Sequence, residues 1–202
     1  MKSRPVVVVL GAGPGTRFRA NGHKLAQDLG NSTVLGSTLR HAVATNLNVV
    51  VVVTSSLAAQ ARHYVASRDV VVLPEVGTDR TRPLSMGYSI ASGVSARPHA
   101  SGWLILPGDM PLVQPSTLLA VAETIEHYPA AYAQHKGRRC HPLGFAGELY
   151  SELVTLTGEQ GARRLLARYP AHGTEVDDGG VLIDIDTEQD LLVLRQAEHL
   201  AL

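Results

Sequence analysis

Short runs of valine and other apolar residues alternate along this chain with segments in which apolar residues recur at helical spacing. Because this alternation is typical of βαβ units, it predicts an α/β fold with a mostly parallel sheet. Strands are predicted at Val6–Leu10, Asn48–Thr54, Val70–Leu73 and Gly102–Leu106, with shorter strands at Ala130–Gln134 and Leu182–Asp186.

Helices are predicted in the segments between these strands. Their bounds are Thr33–Thr45, Leu57–Ala66, Leu84–Ser95, Pro115–His127, Gly161–Tyr169 and Glu188–His199. In the first of them, the residues that share one face are Val34, Leu35, Leu39, Ala42 and Val43. The last begins with Thr187-Glu-Gln-Asp190, a pattern in which a threonine and a later acidic residue cap the start of a helix.

A glycine-rich loop follows the first predicted strand. Gly11, Gly13 and Gly15 let the backbone turn tightly and leave its N–H groups exposed. Exposed N–H groups in a concave loop bind phosphate. Arg17 and Lys24 add the positive charge that a polyphosphate requires. The segment therefore predicts a nucleotide-phosphate loop.

Three kinds of phosphate loop share such glycines. A P-loop is excluded because Lys24 is not followed by Ser or Thr. A dinucleotide fingerprint is weakened, because its third glycine comes one position early and the second strand ends at Thr54 with no carboxylate for a ribose. The nucleotidyltransferase signature, Leu-x-x-Gly-x-Gly-Thr-Arg-Met/Phe with a later lysine, fits position by position from Leu10 through Thr16 to Phe18. A plain glycine turn would explain the glycines but not the Thr-Arg-Phe run and its lysine.

Asp109 follows the apolar strand predicted at Gly102–Leu106, in the turn Gly-Asp-Met-Pro. Ligands of open α/β sheets bind at the carboxyl ends of the strands, so this carboxylate is placed to hold Mg²⁺ against bound phosphates. An aspartate that only caps a turn or a helix is the alternative interpretation. The glycine loop earlier in the chain favours the metal.

Two further carboxylates, Asp184 and Asp186, alternate with Ile183 and Ile185. In a strand this alternation puts both carboxylates on one face. Side by side they repel each other unless a cation or a hydrogen-bond partner is present, which favours a metal or ligand role for the pair. Asp186 by itself is equally well interpreted as the N-cap of the helix that follows.

Composition limits the class of protein. Of 202 residues, 45% are hydrophobic and 18% charged, which suits one α/β domain over residues 1–202 with a well-buried core. The net charge of +0 argues against a nucleic-acid partner. Cys140 is the single cysteine, which fits a reducing cytoplasm, and no segment is long enough to span a membrane. Near it, Arg138, Arg139 and His141 are candidates to contact an anionic substrate, although Arg138 is more typical of a solvated hairpin turn.

Taken in order along nearly the whole chain, the motifs resemble the molybdenum cofactor nucleotidyltransferase family, and most of all its cytidylyltransferases acting on molybdopterin-type cofactors. The resemblance implies a Rossmann-like nucleotidyltransferase fold with three α/β/α layers around a mostly parallel mixed sheet. It also implies Mg²⁺, a nucleoside triphosphate, a phosphorylated acceptor of the molybdopterin type, and a molybdoenzyme or its chaperone as a further partner. Besides the glycine loop and Lys24, the motifs that carry it are Ser85–Gly93, Gly108–Pro111, Gly137–Phe145, Thr157–Leu166 and Asp184–Leu191.

The family implies transfer of a nucleoside monophosphate to a terminal phosphate, with loss of pyrophosphate. The resemblance then gives catalytic roles to Arg17, Lys24 and Asp109, and a metal site to Asp109, Asp186 and Asp184. The implied nucleotide-binding residues are Leu10, Gly11, Ala12, Gly13, Gly15, Thr16, Arg17, Lys24 and Ser89. Alanine in front of the second loop glycine matches the cytidylyl branch, which uses CTP, better than the guanylyl branch, which tends to have glycine there and uses GTP.

The region before the lysine departs from the family pattern. Arg19 stands where the family usually has glycine, and the stretch between Phe18 and Lys24 is longer. That longer stretch resembles the sugar-1-phosphate nucleotidyltransferases, in which a proline usually precedes the lysine; here the residue is His23. A sugar-1-phosphate nucleotidyltransferase and a non-catalytic nucleotide-binding protein of the same fold remain alternatives.

Overall fold

A seven-stranded sheet forms the centre of the computed structural model, which describes residues 4–13, 15, 18, 22–75 and 85–200. The strands within these residues are β1 (Val6–Gly11), β2 (Asp28–Leu29), β3 (Ser32–Thr33), β4 (Asn48–Thr54), β5 (Val70–Leu73), β6 (Gly102–Pro107), β7 (Ala130–His135), β8 (Arg138–Ala146) and β9 (Ala171–Glu175). The large sheet has the order β5-β4-β1-β6-β8-β7-β9, and β2 pairs with β3 in a separate hairpin. Strand β8 runs antiparallel to both of its neighbours, whereas the other pairs in the sheet are parallel.

Helices cover both faces of this sheet. They are α1 (Val34–Ala44), α2 (Ser55–Ala61), α3 (Met86–Ser95), α4 (Pro115–Thr124), α5 (Tyr150–Leu153), α6 (Arg163–Arg168) and α7 (Glu188–Leu200). Short 3₁₀ turns lie at Lys24–Ala26, Ser67–Asp69, Gly147–Leu149 and Gly179–Leu182.

The side chains of β1 show how the layers form. Val7 and Val9 belong to a core that includes α1, α2, α4 and α7, whereas Val6 and Val8 belong to the opposite core with α3, α5 and α6. All four valines are at most 2% exposed. A parallel strand covered on both faces needs such a continuous apolar run. The predicted Rossmann-like α/β/α fold with a mostly parallel mixed sheet is confirmed.

The alternating segment Leu182–Asp186 is not a strand, so this prediction is wrong. A 3₁₀ turn occupies Gly179–Leu182, and residues 183–186 have no regular secondary structure. The buried carboxylate of Asp178 accepts hydrogen bonds from the N–H groups of Gly180 and Gln114, both at 2.9 Å. Because Gln114 is the N-cap residue of α4, these bonds hold the segment against the start of that helix and away from a sheet edge.

Two more expectations fail for related reasons. Ile183 is 40% exposed and Ile185 is 0% exposed, so the two isoleucines do not share a buried face. Val43 is 41% exposed, because the buried stripe of α1 is narrower than the apolar pattern suggested. Strands β8 and β9 were not predicted, since β8 begins with polar residues and neither strand has a long valine run.

Candidate active site

A cleft at the carboxyl end of β1 and β6 gathers most of the residues that the sequence singled out. Its volume is about 330 Å³. The glycine loop forms one side, and Asp109 and Asp186 reach it from elsewhere in the chain. The lining residues are Leu10, Gly11, Ala12, Gly13, Gly15, Lys24, Leu25, Ser85, Met86, Ser89, Pro107, Asp109, Glu159 and Asp186. Thr16 and Arg17, which were also predicted to bind the nucleotide, lie outside the described residues.

The ammonium group of Lys24 joins the two carboxylates of the cleft. Its Nζ lies 2.6 Å from Asp109 Oδ2 and 3.1 Å from Asp186 Oδ1. The three side chains are 12%, 18% and 19% exposed, so the ion pairs are largely shielded from solvent. Burial lowers the pKa of Lys24, but the charges and hydrogen bonds of the two carboxylates outweigh it and the pKa is raised. Lys24 therefore keeps its positive charge at neutral pH.

Backbone hydrogen bonds tie Asp109 to the glycine-loop strand. The N–H of Gly108 donates to the carbonyl of Leu10 at 2.8 Å, and the hydroxyl of Thr38 donates to the carbonyl of Gly108 at 2.9 Å. A Cβ at position 108 would lie 2.9 Å from that Leu10 carbonyl, closer than real side chains approach. Glycine is therefore required for β6 to deliver Asp109 beside β1.

Asp186 is fixed by the residues on either side of it. The N–H of Ile185 donates to the carbonyl of Asp109 at 2.9 Å, which ties the two acidic segments together. Asp190 Oδ2 accepts hydrogen bonds from the N–H groups of Asp186 at 3.1 Å and Thr187 at 2.7 Å. The hydroxyl of Thr187 donates to the same oxygen at 2.8 Å, and this bond, followed by the two backbone bonds, lowers the pKa of Asp190.

The cap of α7 follows the predicted capping pattern. The N–H of Asp190 donates to Thr187 Oγ1 at 3.2 Å, so the two residues cap the helix start reciprocally. Asp186 is therefore not the residue whose side chain caps α7. Its carboxylate instead receives the hydrogen bond from Lys24.

Asp184 lies beside this pair but is exposed. Its pKa is raised, first by partial burial and then by the negative charges of Asp186 and Asp109. Among the described residues, no group of three or more His, Cys, Asp or Glu side chains is arranged to hold a metal ion. The supporting metal role of Asp184 stays a prediction.

The donor set in the cleft suits Mg²⁺ bound together with a nucleotide. Mg²⁺ is usually held by one or two carboxylates, with substrate phosphates and water completing its shell. Asp109 and Asp186 supply two carboxylates that already converge on one cation, the Lys24 ammonium. The residues present therefore fit a divalent ion that arrives with phosphate.

His23 connects the glycine loop to the lysine, a contact that the sequence did not signal. Its Nδ1 accepts a hydrogen bond from the N–H of Leu25 at 3.2 Å and caps the turn that begins at Lys24. In that tautomer Nε2 carries the proton and donates to the carbonyl of Gly13 at 3.1 Å. The pKa of His23 is lowered, mainly by burial and also by the charge of Lys24, which keeps the ring in the neutral form that makes both bonds.

Of the three basic candidates on β8, His141 approaches the acidic cleft. Because β8 pairs with β6 through Leu143 and Ile105, His141 lies level with the residues that lead to Asp109. Burial lowers the pKa of His141 to about 4, against the charge of Asp109, which raises it. Arg138 and Arg139 are exposed, and neither lines the cleft.

The motif Thr157–Leu166 packs against the start of α3. The N–H of Gly87 donates to the carbonyl of Gly158 at 3.0 Å, and a Cβ at Gly87 would come within 2.8 Å of the Thr157 backbone. This close approach brings Glu159 to the wall of the cleft. Ser89, a predicted nucleotide-binding residue, is buried on the same wall at 7% exposure.

A family model described as the MobA-like NTP transferase domain matches residues 7–174. The chain belongs to this family. It is 34% identical over 121 residues to the bifunctional protein GlmU of Zymomonas mobilis, a match that covers 59% of this chain and 26% of that protein. The chain thus matches about a quarter of the length of this curated relative.

Solved structures resemble the whole chain. Rv0371c from Mycobacterium tuberculosis H37Rv superposes with a TM-score of 0.81 at 27% identity, covering 97% of this chain and 100% of that one. A complex of the same protein with manganese gives a TM-score of 0.77 at 26% identity, with 96% and 100% covered. Within the described part of this MobA-like chain, no helix has the length and apolar character needed to cross a membrane.

Proposed function

We propose that this MobA-like protein is a Mg²⁺-dependent nucleotidyltransferase that transfers CMP from CTP to a phosphorylated acceptor of the molybdopterin type. The observation that carries the proposal is the convergence of the glycine loop, Lys24, Asp109 and Asp186 in one cleft. A purely structural turn would not need a lysine shared by two carboxylates beside a glycine loop.

The reaction needs little covalent chemistry from the protein. An oxygen of the acceptor phosphate attacks the α-phosphorus of the nucleotide, the bond to the bridging oxygen of the β-phosphate breaks, and pyrophosphate leaves. The protein contributes by positioning the reactants and by neutralising negative charge. Bound Mg²⁺ would add positive charge at the phosphates.

Each element of the cleft has a part in this scheme. We assign the N–H groups of the glycine loop and Arg17 to the β- and γ-phosphates. Lys24 serves the α-phosphate, where negative charge develops. Asp109 and Asp186 would hold the metal, and Ser89 lines the pocket proposed for the base or the acceptor.

The choice of CTP rests on Ala12, which precedes the second loop glycine as in the cytidylyl branch. A second candidate function is a sugar-1-phosphate nucleotidyltransferase. The long stretch between Phe18 and Lys24 favours it, since that spacing is typical of those enzymes.

A pyrophosphate-release screen separates these functions. CTP, GTP, UTP and ATP are each incubated with Mg²⁺ and either a molybdopterin-type acceptor or a panel of sugar 1-phosphates. The proposal expects release with CTP and the molybdopterin-type acceptor. Release only with a sugar 1-phosphate would replace the acceptor, and nucleotide binding without release in any combination would make the protein a non-catalytic nucleotide binder.

A further inference from the structure

The position of Lys24 has a consequence for how the metal enters. The Lys24 Nζ lies between Asp109 and Asp186, at 2.6 Å and 3.1 Å from their oxygens. These are the two carboxylates assigned to the metal. The lysine therefore already occupies the place where a cation neutralises them.

We propose that the ammonium group of Lys24 occupies the metal site and neutralises Asp109 and Asp186 until a triphosphate is bound. A divalent ion and the ammonium group compete for the space between these two carboxylates, because the two cations repel each other at such short range. The free protein then binds a divalent ion weakly, and the ion enters together with the nucleotide. The proposal rests on the proposed function for the identity of the nucleotide.

The geometry allows the lysine side chain to move while its backbone stays fixed. The backbone is anchored by the Lys24–Ala26 turn, which His23 caps. The side chain is a flexible four-carbon stem with a point charge at its end. A Cβ at Gly15 would lie 3.4 Å from Lys24 Cγ, so the stem runs directly beside the glycine loop. The same ammonium group can therefore reach the carboxylates or a phosphate held by that loop.

This arrangement couples the binding of the divalent ion to the binding of the nucleotide. A phosphate that draws Nζ away frees the carboxylates for the metal, and a metal that displaces Nζ makes it available to the phosphate. By thermodynamic linkage the two effects are equal in size.

Mn²⁺ alone, without nucleotide, is the probe that tests the proposal. Free Mn²⁺ is measured by electron paramagnetic resonance during titration of the wild type, Lys24→Met, Lys24→Gln and Lys136→Met. Lys136 is an exposed lysine, so its replacement removes the same charge away from the cleft. We expect both Lys24 variants to bind Mn²⁺ about tenfold more tightly than the wild type, within the range typical of coupled sites, and Lys136→Met to match the wild type.

Two further measurements locate the effect. In Lys24→Met/Asp109→Asn the gain in Mn²⁺ affinity should disappear, because one of the two carboxylates is gone. Mn²⁺ should raise the melting temperature of Lys24→Met more than that of the wild type, since at one ligand concentration a ligand that binds the folded state more tightly stabilises it more. If both folded Lys24 variants bind Mn²⁺ no more tightly than the wild type, the proposal is overturned. A protein that shows the gain but releases no pyrophosphate would overturn the proposed function and leave this inference standing.

Discussion

Asp109 and Asp186 contact the same lysine, but they come from regions of the molecule that are built differently. Asp109 follows β6, in which Trp103, Leu104, Ile105 and Leu106 are at most 1% exposed. Asp186 follows an irregular segment that is held by backbone N–H groups donating to the carboxylates of Asp178 and Asp190.

The difference shows two ways of placing a carboxylate. For Asp109, a buried strand fixes the position of the carboxylate, and the apolar core supplies the stability. For Asp186, a few polar contacts fix the position instead of a strand. Substitutions in the two regions should therefore affect activity and stability to different extents.

The largest effect is expected from Asp109→Asn, which keeps the shape of the side chain but removes the charge that we propose holds the metal. Pyrophosphate release should fall at least about a hundredfold, as for other lost electrostatic contacts at reacting phosphates or oxyanions. Asp186→Asn should lose less, and Asp184→Asn least. Melting temperatures measured in parallel should show that all three variants fold.

Asp177→Asn is the matched control, because Asp177 is exposed and lies outside the cleft. It should keep wild-type activity. Full activity in Asp109→Asn would show that the metal assignment is wrong even if the protein is an enzyme.

Asp178→Ala tests the second way of placing a carboxylate. The buried carboxylate accepts bonds from Gln114 N–H, Thr117 Oγ1 and Gly180 N–H. Losing them should lower the free energy of unfolding by about 2–3 kcal/mol, since hydrogen bonds to charged groups are among the stronger ones. Pyrophosphate release should also fall, because Asp186 would be held less firmly. Urea unfolding and the activity assay check this, and a loss of stability with unchanged activity would show that the segment is positioned by other contacts.

The next prediction concerns the stability of the sheet near Asp109, where His141 lies on β8. Its pKa is about 4 in the folded protein against 6.5 for the ordinary side chain, because burial disfavours the charged ring. As the pH falls from 6.5 towards about 4, the unfolded chain takes up a proton that the folded protein does not, so stability is lost over that window.

The check is a comparison of urea midpoints for the wild type and His141→Gln at the two ends of that window. The wild type should lose more stability than the variant, which lacks the titrating ring. An equal loss in both proteins would mean that His141 titrates normally.

The smallest effect is expected from His23→Ala. It removes the cap of the Lys24 turn and the bond to the Gly13 carbonyl. A lost cap costs about 1 kcal/mol of stability, so the urea midpoint should fall, and kcat/KM should decrease modestly because the Lys24 turn is held less firmly. His23→Asn should recover part of the loss, because its side chain can cap the turn. His127→Ala, an exposed histidine beyond the far end of α4, is the control, and an equal loss in that variant would contradict a specific role for His23.

Much of the parallel part of the fold could be predicted, because β1, β4, β5 and β6 are recognisable in the sequence as apolar runs. Both cores and the edge where ligands bind follow from that pattern. The structure places Asp109 and Lys24 together beside the glycine loop, as the strand pattern and the loop signature predicted. Their catalytic and metal-binding roles stay predictions.

The rest depends on contacts between residues distant in sequence. The Asp184–Asp186 alternation looked like a strand because nothing local reveals that Asp178 ties the segment to α4. Glu159 reaches the cleft only because Gly87 lets two backbones approach closely. Nothing in the sequence signals the role of His23, because its ring bonds to the N–H of Leu25 and the carbonyl of Gly13, which are backbone groups present in any sequence.

The central claim is that the two regions each supply one carboxylate to a single metal and nucleotide site. A crystal structure with Mn²⁺ and a non-hydrolysable CTP analogue tests it most directly, because the anomalous signal of manganese locates the ion. The account predicts an ion bound to both Asp109 and Asp186, with Lys24 Nζ moved onto a phosphate. An ion bound elsewhere, with Lys24 still bridging the two carboxylates while the nucleotide is present, would contradict it.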